Sequence, residues 1–295
     1  MLGHDDIIRL TNHLLQNRPL FRQVVAMRFP FVFIDESQDT MEDVVKSFKE
    51  VERQMRGTFC LGFFGDPMQK IYLAGIGNIT PEPGWKEIDK PENYRCATAI
   101  LAVANAVRSA GDELVQVGGR REVVDGEERS VIGTARFFVL PSSMERNKAL
   151  RLVRRWTAAT NGDELWNMDS AEAVKVLVIV HRMAANRLGF LNCDAAEFLP
   201  YRNYRDDQSA FATQHGVKGG EFERVMVVLD DAESEFNLYS YEKYFGIAKL
   251  SDRDIENVRQ GLDNVVSRTR RLLYVCCTRA KRDLALVLLT EDATV

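Results

Sequence analysis

Two adjacent carboxylates, Asp35 and Glu36, follow directly on the apolar run Phe31-Val32-Phe33-Ile34. A run without polar alternation reads as a strand buried on both faces, the kind found in parallel sheets. Ligands of open α/β sheets sit beyond the carboxyl ends of the strands, where these acids fall. An acid pair there suits nucleotide hydrolysis: one carboxylate holds a Mg²⁺ that bridges phosphates, and its neighbour orients or deprotonates the attacking water. A strand ending in a solvated acidic turn fits the same residues, and the pair alone does not decide. Further along, Thr213, His215 and Lys218 offer donors suited to nucleic-acid backbone phosphates, with a structural loop histidine as the alternative for His215. Arg151, Arg154 and Arg155 fall on one face of an expected helix, as a DNA track or, more simply, a solvated face.

The chain that must position these groups has 295 residues, enough for one large or two ordinary domains. Hydrophobic residues make up 45% and charged residues 28%, which supports a real core. A net charge of −4 argues against a protein coated in positive charge, but not against a nucleic-acid motor with a local groove. No apolar run approaches the about 18 residues of a membrane span, and the acidic start Met1-Leu2-Gly3-His4-Asp5-Asp6 is no signal peptide. The expectation is a cytoplasmic protein with no membrane partner. Cys60, Cys96, Cys193, Cys276 and Cys277 lack metal-ligand spacing and read as reduced, buried apolar residues. The four scattered histidines do not suggest zinc.

Periodicity predicts a helix over 4–17, ended by Asn17-Arg18-Pro19, then the strand 31–34. A helix over 41–56 and a second buried strand over 58–64 complete a parallel crossover. The Gly- and Pro-rich residues 75–92 read as the connection out of a first domain. Asn93 opens a helix to about Arg108, and 117–134 is hairpin or loop. Strands follow at 135–140, 174–180, 225–229 and 284–289. Ser142 and Glu145 form an expected capping box for a helix over 143–159. Residues 183–210 are mixed, 232–262 mostly helical and 268–281 a helix.

Five blocks then line up: Asp35-Glu36-Ser37-Gln38-Asp39; Gly65-Asp66-Pro67-Met68-Gln69-Lys70-Ile71-Tyr72; Asn93-Tyr94-Arg95; Gln214 to Phe222; and Arg270 to Lys281. In this order they resemble motifs II to VI of the UvrD/Rep superfamily 1 helicases. The resemblance implies two RecA-like parallel-sheet domains, 1–92 and 93–295, the first truncated at its N-terminus, without the family's large 2B insertion. It implies ATP and Mg²⁺ as cofactors. Asp35 would bind Mg²⁺, Glu36 would activate water, and Gln69 would sense the γ-phosphate. Tyr94 would stack on adenine, Arg95 and Arg279 would reach the γ-phosphate, and Glu221 would lie near the ribose, with Gln38 also at the nucleotide. Thr213, His215, Lys218 and Tyr72 would contact DNA. The chemistry agrees, because planar guanidinium groups supply positive charge around a transferring phosphoryl group. The alternative for each arginine is a surface salt bridge.

The sequence departs from the family at three places. It holds no Gly-x-x-x-x-Gly-Lys-Ser/Thr loop, so the main phosphate cradle is missing from it. Ala74 stands near the place of a base-stacking aromatic. The stretch between the 174–180 strand and motif V is short. The wording around Phe64–Tyr72 and Tyr94-Arg95-Cys96 is similar to compact UvrD-like proteins of bacterial defence systems such as the Gabija helicase subunit. The implied activity is the C-terminal portion of an ATP-dependent single-stranded DNA translocase or 3′-to-5′ helicase, acting on single-stranded or 3′-tailed DNA. The alternative is an ATPase-inactive, helicase-derived scaffold or DNA-binding subunit of a nuclease complex in anti-phage defence. The chain is expected to be a fragment of a longer gene product; the alternatives are a partner that supplies the phosphate-binding segment, or loss of ATPase function. Alone, it is expected neither to hydrolyse nor tightly to bind ATP.

Overall fold

A computed structural model describes residues 3–188, 209–234 and 238–293. These form an α/β protein with parallel sheets, and the chain divides into two compact units, Met1–Ile88 and Asp89–Val295.

In the first unit, α1 (His4–Asn17), α2 (Pro19–Arg28) and α3 (Glu42–Gln54) accompany β1 (Phe31–Ile34) and β2 (Cys60–Phe63). β1 and β2 pair in parallel, Phe31 opposite Cys60 and Ile34 opposite Phe63, as the crossover pattern requires. The core gathers Leu15, Ala26, Val51 and Phe59, with Val32 and Leu61 packed on it from the strands. α2 is an element the sequence reading missed. Pro19, the expected stop of α1, occupies the first turn of α2, where its fixed φ and missing N–H cost nothing. Arg22 of α2 is buried and donates to the carbonyls of Leu15 and Gln16, satisfying the last turn of α1. The expectation that β1 is buried on both faces is corrected. Val32 faces the helices, whereas Phe31 and Phe33 are 68% and 62% exposed. β2 is likewise only half-buried, because the core gathers on one face of this two-stranded sheet.

The second unit is built on a five-stranded, wholly parallel sheet. Its strands are β7 (Thr134–Pro141), β8 (Lys175–Val178), β9 (Phe211–Thr213), β10 (Phe222–Leu229) and β11 (Ala280–Thr290), in the order β7-β11-β10-β8-β9. β8 is buried at every residue, β10 from Val225 to Leu229 and β11 along nearly all its length. Here the unbroken apolar runs do mark strands covered on both faces. Before the sheet, β3 (Glu92–Asn93) pairs with β4 (Val117–Gly118), and β5 (Arg121–Val124) with β6 (Glu127–Ser130) makes the expected hairpin. α4 is Thr98–Ser109, α5 Arg146–Asn161 and α6 His181–Leu188. Two short helical turns, Asp231–Ser234 and Tyr241–Tyr244, precede α7 (Asp252–Arg259) and α8 (Val265–Cys277).

Several boundaries moved for local reasons. Residues 93–97 are not helical, because the Asn93 side chain takes the N–H groups of Arg95 and Cys96 instead. The Ser142–Glu145 capping box does not form. Glu145 is itself the N-cap of α5 and accepts from the Asn147 and Lys148 N–H groups. The three arginines of α5 do not share a face, since Arg154 is buried against Asp169 while Arg151 and Arg155 are exposed. Among the described residues of 232–262, just over half are helical, in three short pieces joined by turns and loop, in line with the mostly helical expectation. Part of the 183–210 segment and Cys193 lie outside the described residues.

Candidate functional site

The first unit places its acids on a strained turn at the end of β1. Glu36 has φ 50° and ψ 39°, a left-handed conformation that costs a non-glycine residue about 1–2 kcal/mol. Its N–H donates to Asp35 Oδ1 at 2.9 Å. Both acids are exposed, whereas Gln38 is buried to 1%. Gln38 Nε2 donates to Glu36 Oε2 at 2.6 Å, and Gln38 Oε1 accepts from the Asp66 N–H at 3.2 Å. Asp66 in turn accepts from the Met68 N–H at 3.0 Å and from Gln69 Nε2 at 3.3 Å. The Asp35–Gln38 turn and the Gln69 turn after β2 are therefore one bonded assembly. Ser37 N–H donates to the Phe64 carbonyl at 2.9 Å, which clamps the two strand ends further. Tyr72 is exposed beyond this assembly.

The second unit gathers its own candidates around the start of β10 and β11. Asn93 Oδ1 accepts from the N–H groups of Arg95 and Cys96, both at 3.1 Å, and its amide donates to Gln116 at 3.0 Å. This is an Asx-type turn, and it presents Tyr94 and Arg95 on consecutive residues. Tyr94 is 69% exposed, and its ring lies over Gly118, where a Cβ would sit 3.2 Å from the ring. Arg95 Nε pairs with Glu221 at 2.6 Å, both half-exposed. Arg279 is buried to 2%. Its fork donates to the carbonyls of Val275 (3.0 Å) and Gly220 (3.3 Å) and to Thr278 Oγ1 (3.2 Å). Burial lowers the Arg279 pKa, and the nearby Arg95 charge adds to this. Tyr94, Arg95, Glu221 and Arg279 thus share one neighbourhood.

The loop 213–221 connects that neighbourhood to the nucleic-acid candidates. Thr213 ends β9 and is buried, and its Oγ1 accepts from the Gly216 N–H at 3.0 Å. As an acceptor there, Thr213 shapes the turn. His215 is half-buried, with Nε2 2.9 Å from the Tyr239 hydroxyl, and burial lowers its pKa. The Lys218 N–H returns to the His215 carbonyl at 3.3 Å.

A profile of the UvrD/REP helicase N-terminal domain matches residues 1–79. The Gabija protein GajB of Bacillus cereus (strain HuB5-5) is 27% identical over 196 residues, 65% of this chain. The matches relate the chain to superfamily 1 helicases and Gabija proteins. The aligned stretch is 26% of GajB, so the chain spans about a quarter of that relative. The C-terminal domain of a possible DNA helicase from Lactobacillus plantarum WCFS1 is 12% identical, covering 67% of this chain and 88% of that one. Its TM-score of 0.34 is too low to bear on the fold.

Within the helicase-like frame, the groups missed in the sequence are those that hold the named residues. Asp66 and Gly65 join the two turns of the first unit, and Asn93, Gln116 and Gly118 shape the Tyr94–Arg95 turn. An Asn two residues before Arg95 is an Asx-turn signal that the sequence does carry. Tyr239 gave none. One further reading is corrected. Cys60 is exposed, while Cys96, Cys276 and Cys277 are buried, and burial pushes the Cys277 thiol up to about 12. No helix among the described residues is long and apolar enough to cross a membrane.

Proposed function

We propose that this chain is the C-terminal portion of an ATP-driven single-stranded DNA translocase or 3′-to-5′ helicase. The observation that carries the reading is the bonded assembly of Asp35, Glu36, Gln38, Asp66 and Gln69 at the carboxyl end of β1 and β2. Polar groups meet there at the edge where α/β sheets take ligands. The relation to superfamily 1 helicases and to GajB supports the same reading.

Among the described residues no three His, Cys, Asp or Glu side chains gather as a metal cage. That donor set still fits Mg²⁺, which binds nucleotides through one or two carboxylates, with phosphate oxygens and water completing six positions. Asp35 is the carboxylate for it. When bound, Mg·ATP would supply the transferable phosphoryl group, with Asp35 as the carboxylate that would hold its metal. Glu36, held by Gln38, accepts the proton of the attacking water or orients it. Gln69 sits on the same assembly, positioned to respond to the terminal phosphate. In the second unit Tyr94 offers an exposed ring for a base, and Arg95 a guanidinium now neutralised by Glu221. His215 and Lys218 contribute the backbone contacts to DNA, and Tyr72 an exposed aromatic for a base.

A second reading has its own observation. Arg279 makes a hydrogen bond inside the second unit from each of its three nitrogens and is almost fully buried, which suits a structural arginine better than one reaching a phosphate. On that reading the chain is an ATPase-inactive scaffold or DNA-binding subunit of a nuclease complex in anti-phage defence. The deciding experiment is DNA-stimulated ATPase in the natural full-length protein, beside Glu36→Gln. Turnover that single-stranded DNA raises and Glu36→Gln abolishes supports the motor. DNA binding without turnover supports the scaffold. The 295-residue chain alone is expected neither to hydrolyse ATP nor to bind it tightly.

A further inference from the structure

Gln38 is buried, yet it touches the acid turn and the Gln69 turn at once. One end of its amide gives a proton to Glu36 Oε2, and the other takes one from the Asp66 main chain. The partners fix the amide's orientation, since a carboxylate can only accept and a backbone N–H can only donate. Among side chains of this length only a primary amide does both. A carboxylate at position 38 would face Glu36 with like charge, and an apolar residue would leave the Asp66 N–H without this acceptor. The main chain of Gln38 is held as well, its carbonyl accepting from the Gly77 N–H at 2.8 Å. A Cβ on Gly75 would fall inside contact distance of that same carbonyl, and 2.7 Å from Asp39 Cα. Residues 65–66 and 75–77 therefore enclose Gln38 from two sides.

We propose that Gln38 is a positioning residue that contacts no nucleotide. It sets the Glu36 carboxylate for its proton-accepting role and couples that carboxylate to the Gln69 turn through Asp66. This departs from the cofactor-binding role that the helicase resemblance implies for Gln38, and it rests on the reading of Glu36 given above. A shift of the Gln69 turn moves Asp66, Asp66 moves the Gln38 amide, and the amide re-aims Glu36.

The test combines turnover with hydrogen exchange. In the natural full-length protein, with saturating single-stranded DNA, Gln38→Ala is expected to lower kcat about 100-fold, the scale of a roughly 1 Å misplacement of a reacting group. The KM for ATP is expected to stay within about twofold, because the residue touches no substrate. Gln38→Glu is expected to rescue nothing, since it sets a second carboxyl against Glu36 and the two compete for one charge. If Gln38→Ala instead raises KM with kcat unchanged, Gln38 binds nucleotide and the proposal is overturned. It is also overturned if Gln38→Ala and Gln38→Glu turn over like wild type while Glu36→Gln is dead, an outcome that leaves the role of Glu36 standing. Turnover indifferent to Glu36→Gln overturns the reading of Glu36 itself. In the 295-residue chain, Gln38→Ala is expected to speed amide exchange at Asp66 and Gln69 while sparing Val51 and Met55. Unchanged exchange at Asp66 removes the bridge, whatever the turnover shows.

Discussion

Gly65→Ala tests the junction of the two turns in the first unit by steric means alone. A Cβ at Gly65 would fall well inside van der Waals contact of Gln38 Oε1, 2.7 Å from Ser37 Oγ and 3.1 Å from Ser37 N. The neighbours are a buried amide, a buried serine hydroxyl and backbone, none able to swing into solvent. Gly65 is not among the positive-φ residues, so alanine carries no conformational penalty there and the cost is contact. Overpacking a closed site costs about 1–3 kcal/mol. Displacing Gln38 Oε1 also weakens its bond to the Asp66 N–H, worth about 1 kcal/mol net. The sum is about 2–4 kcal/mol, read as a lower urea midpoint of the first unit at unchanged slope. Gly57→Ala is the control: its φ is +87° but no atom lies within 4 Å, so only the backbone term of about 1–2 kcal/mol remains. A Gly65→Ala protein as stable as wild type would refute the packing of the two turns described here.

Further outcomes follow from the same contacts. Thiol labelling mapped by mass spectrometry is expected to modify Cys60 at once and Cys96, Cys276 and Cys277 only on unfolding, since burial raises all three buried thiols. His215 has its pKa lowered by burial, so the unfolded chain binds its proton more readily. Its contribution to stability is therefore present above the ordinary histidine range and lost as pH falls through the folded value. His215→Gln is expected to flatten stability between about pH 7 and pH 5, where the ordinary value near 6.5 lies; an unchanged slope would show that the ring is not buried. Asn93→Ala removes the acceptor of two N–H groups, and is expected to cost about 1–2 kcal/mol as caps do and to loosen Arg95 from Glu221. Urea melts and the Arg95 side-chain NMR signal check both.

The sequence makes some of these features readable and hides others for physical reasons. The acids at the end of β1 and the α3 crossover follow from an apolar run, a helical stripe and a turn, all local signals. The number of faces a strand buries is not local: β1 and β8 carry similar apolar runs, yet only β8 lies inside a five-stranded sheet. Pro19 shows the ambiguity of proline, which ends one helix and begins the next. Charge misled most at Arg279 and Arg154, where a residue type that reads as surface is buried with backbone or acid partners. Gln38 stood in a quoted motif, but its two-sided bonding depends on Asp66, which only the β1–β2 pairing brings beside it.

The central claim is that nucleotide turnover at the Asp35–Glu36 edge drives movement along DNA. Strand displacement from a 3′-tailed duplex by the natural full-length protein tests it most directly. Displacement is expected with Mg·ATP, with none under a non-hydrolysable analogue and none after Glu36→Gln or Arg95→Ala although tailed DNA is still bound. Tight DNA binding with no displacement under any nucleotide would contradict it.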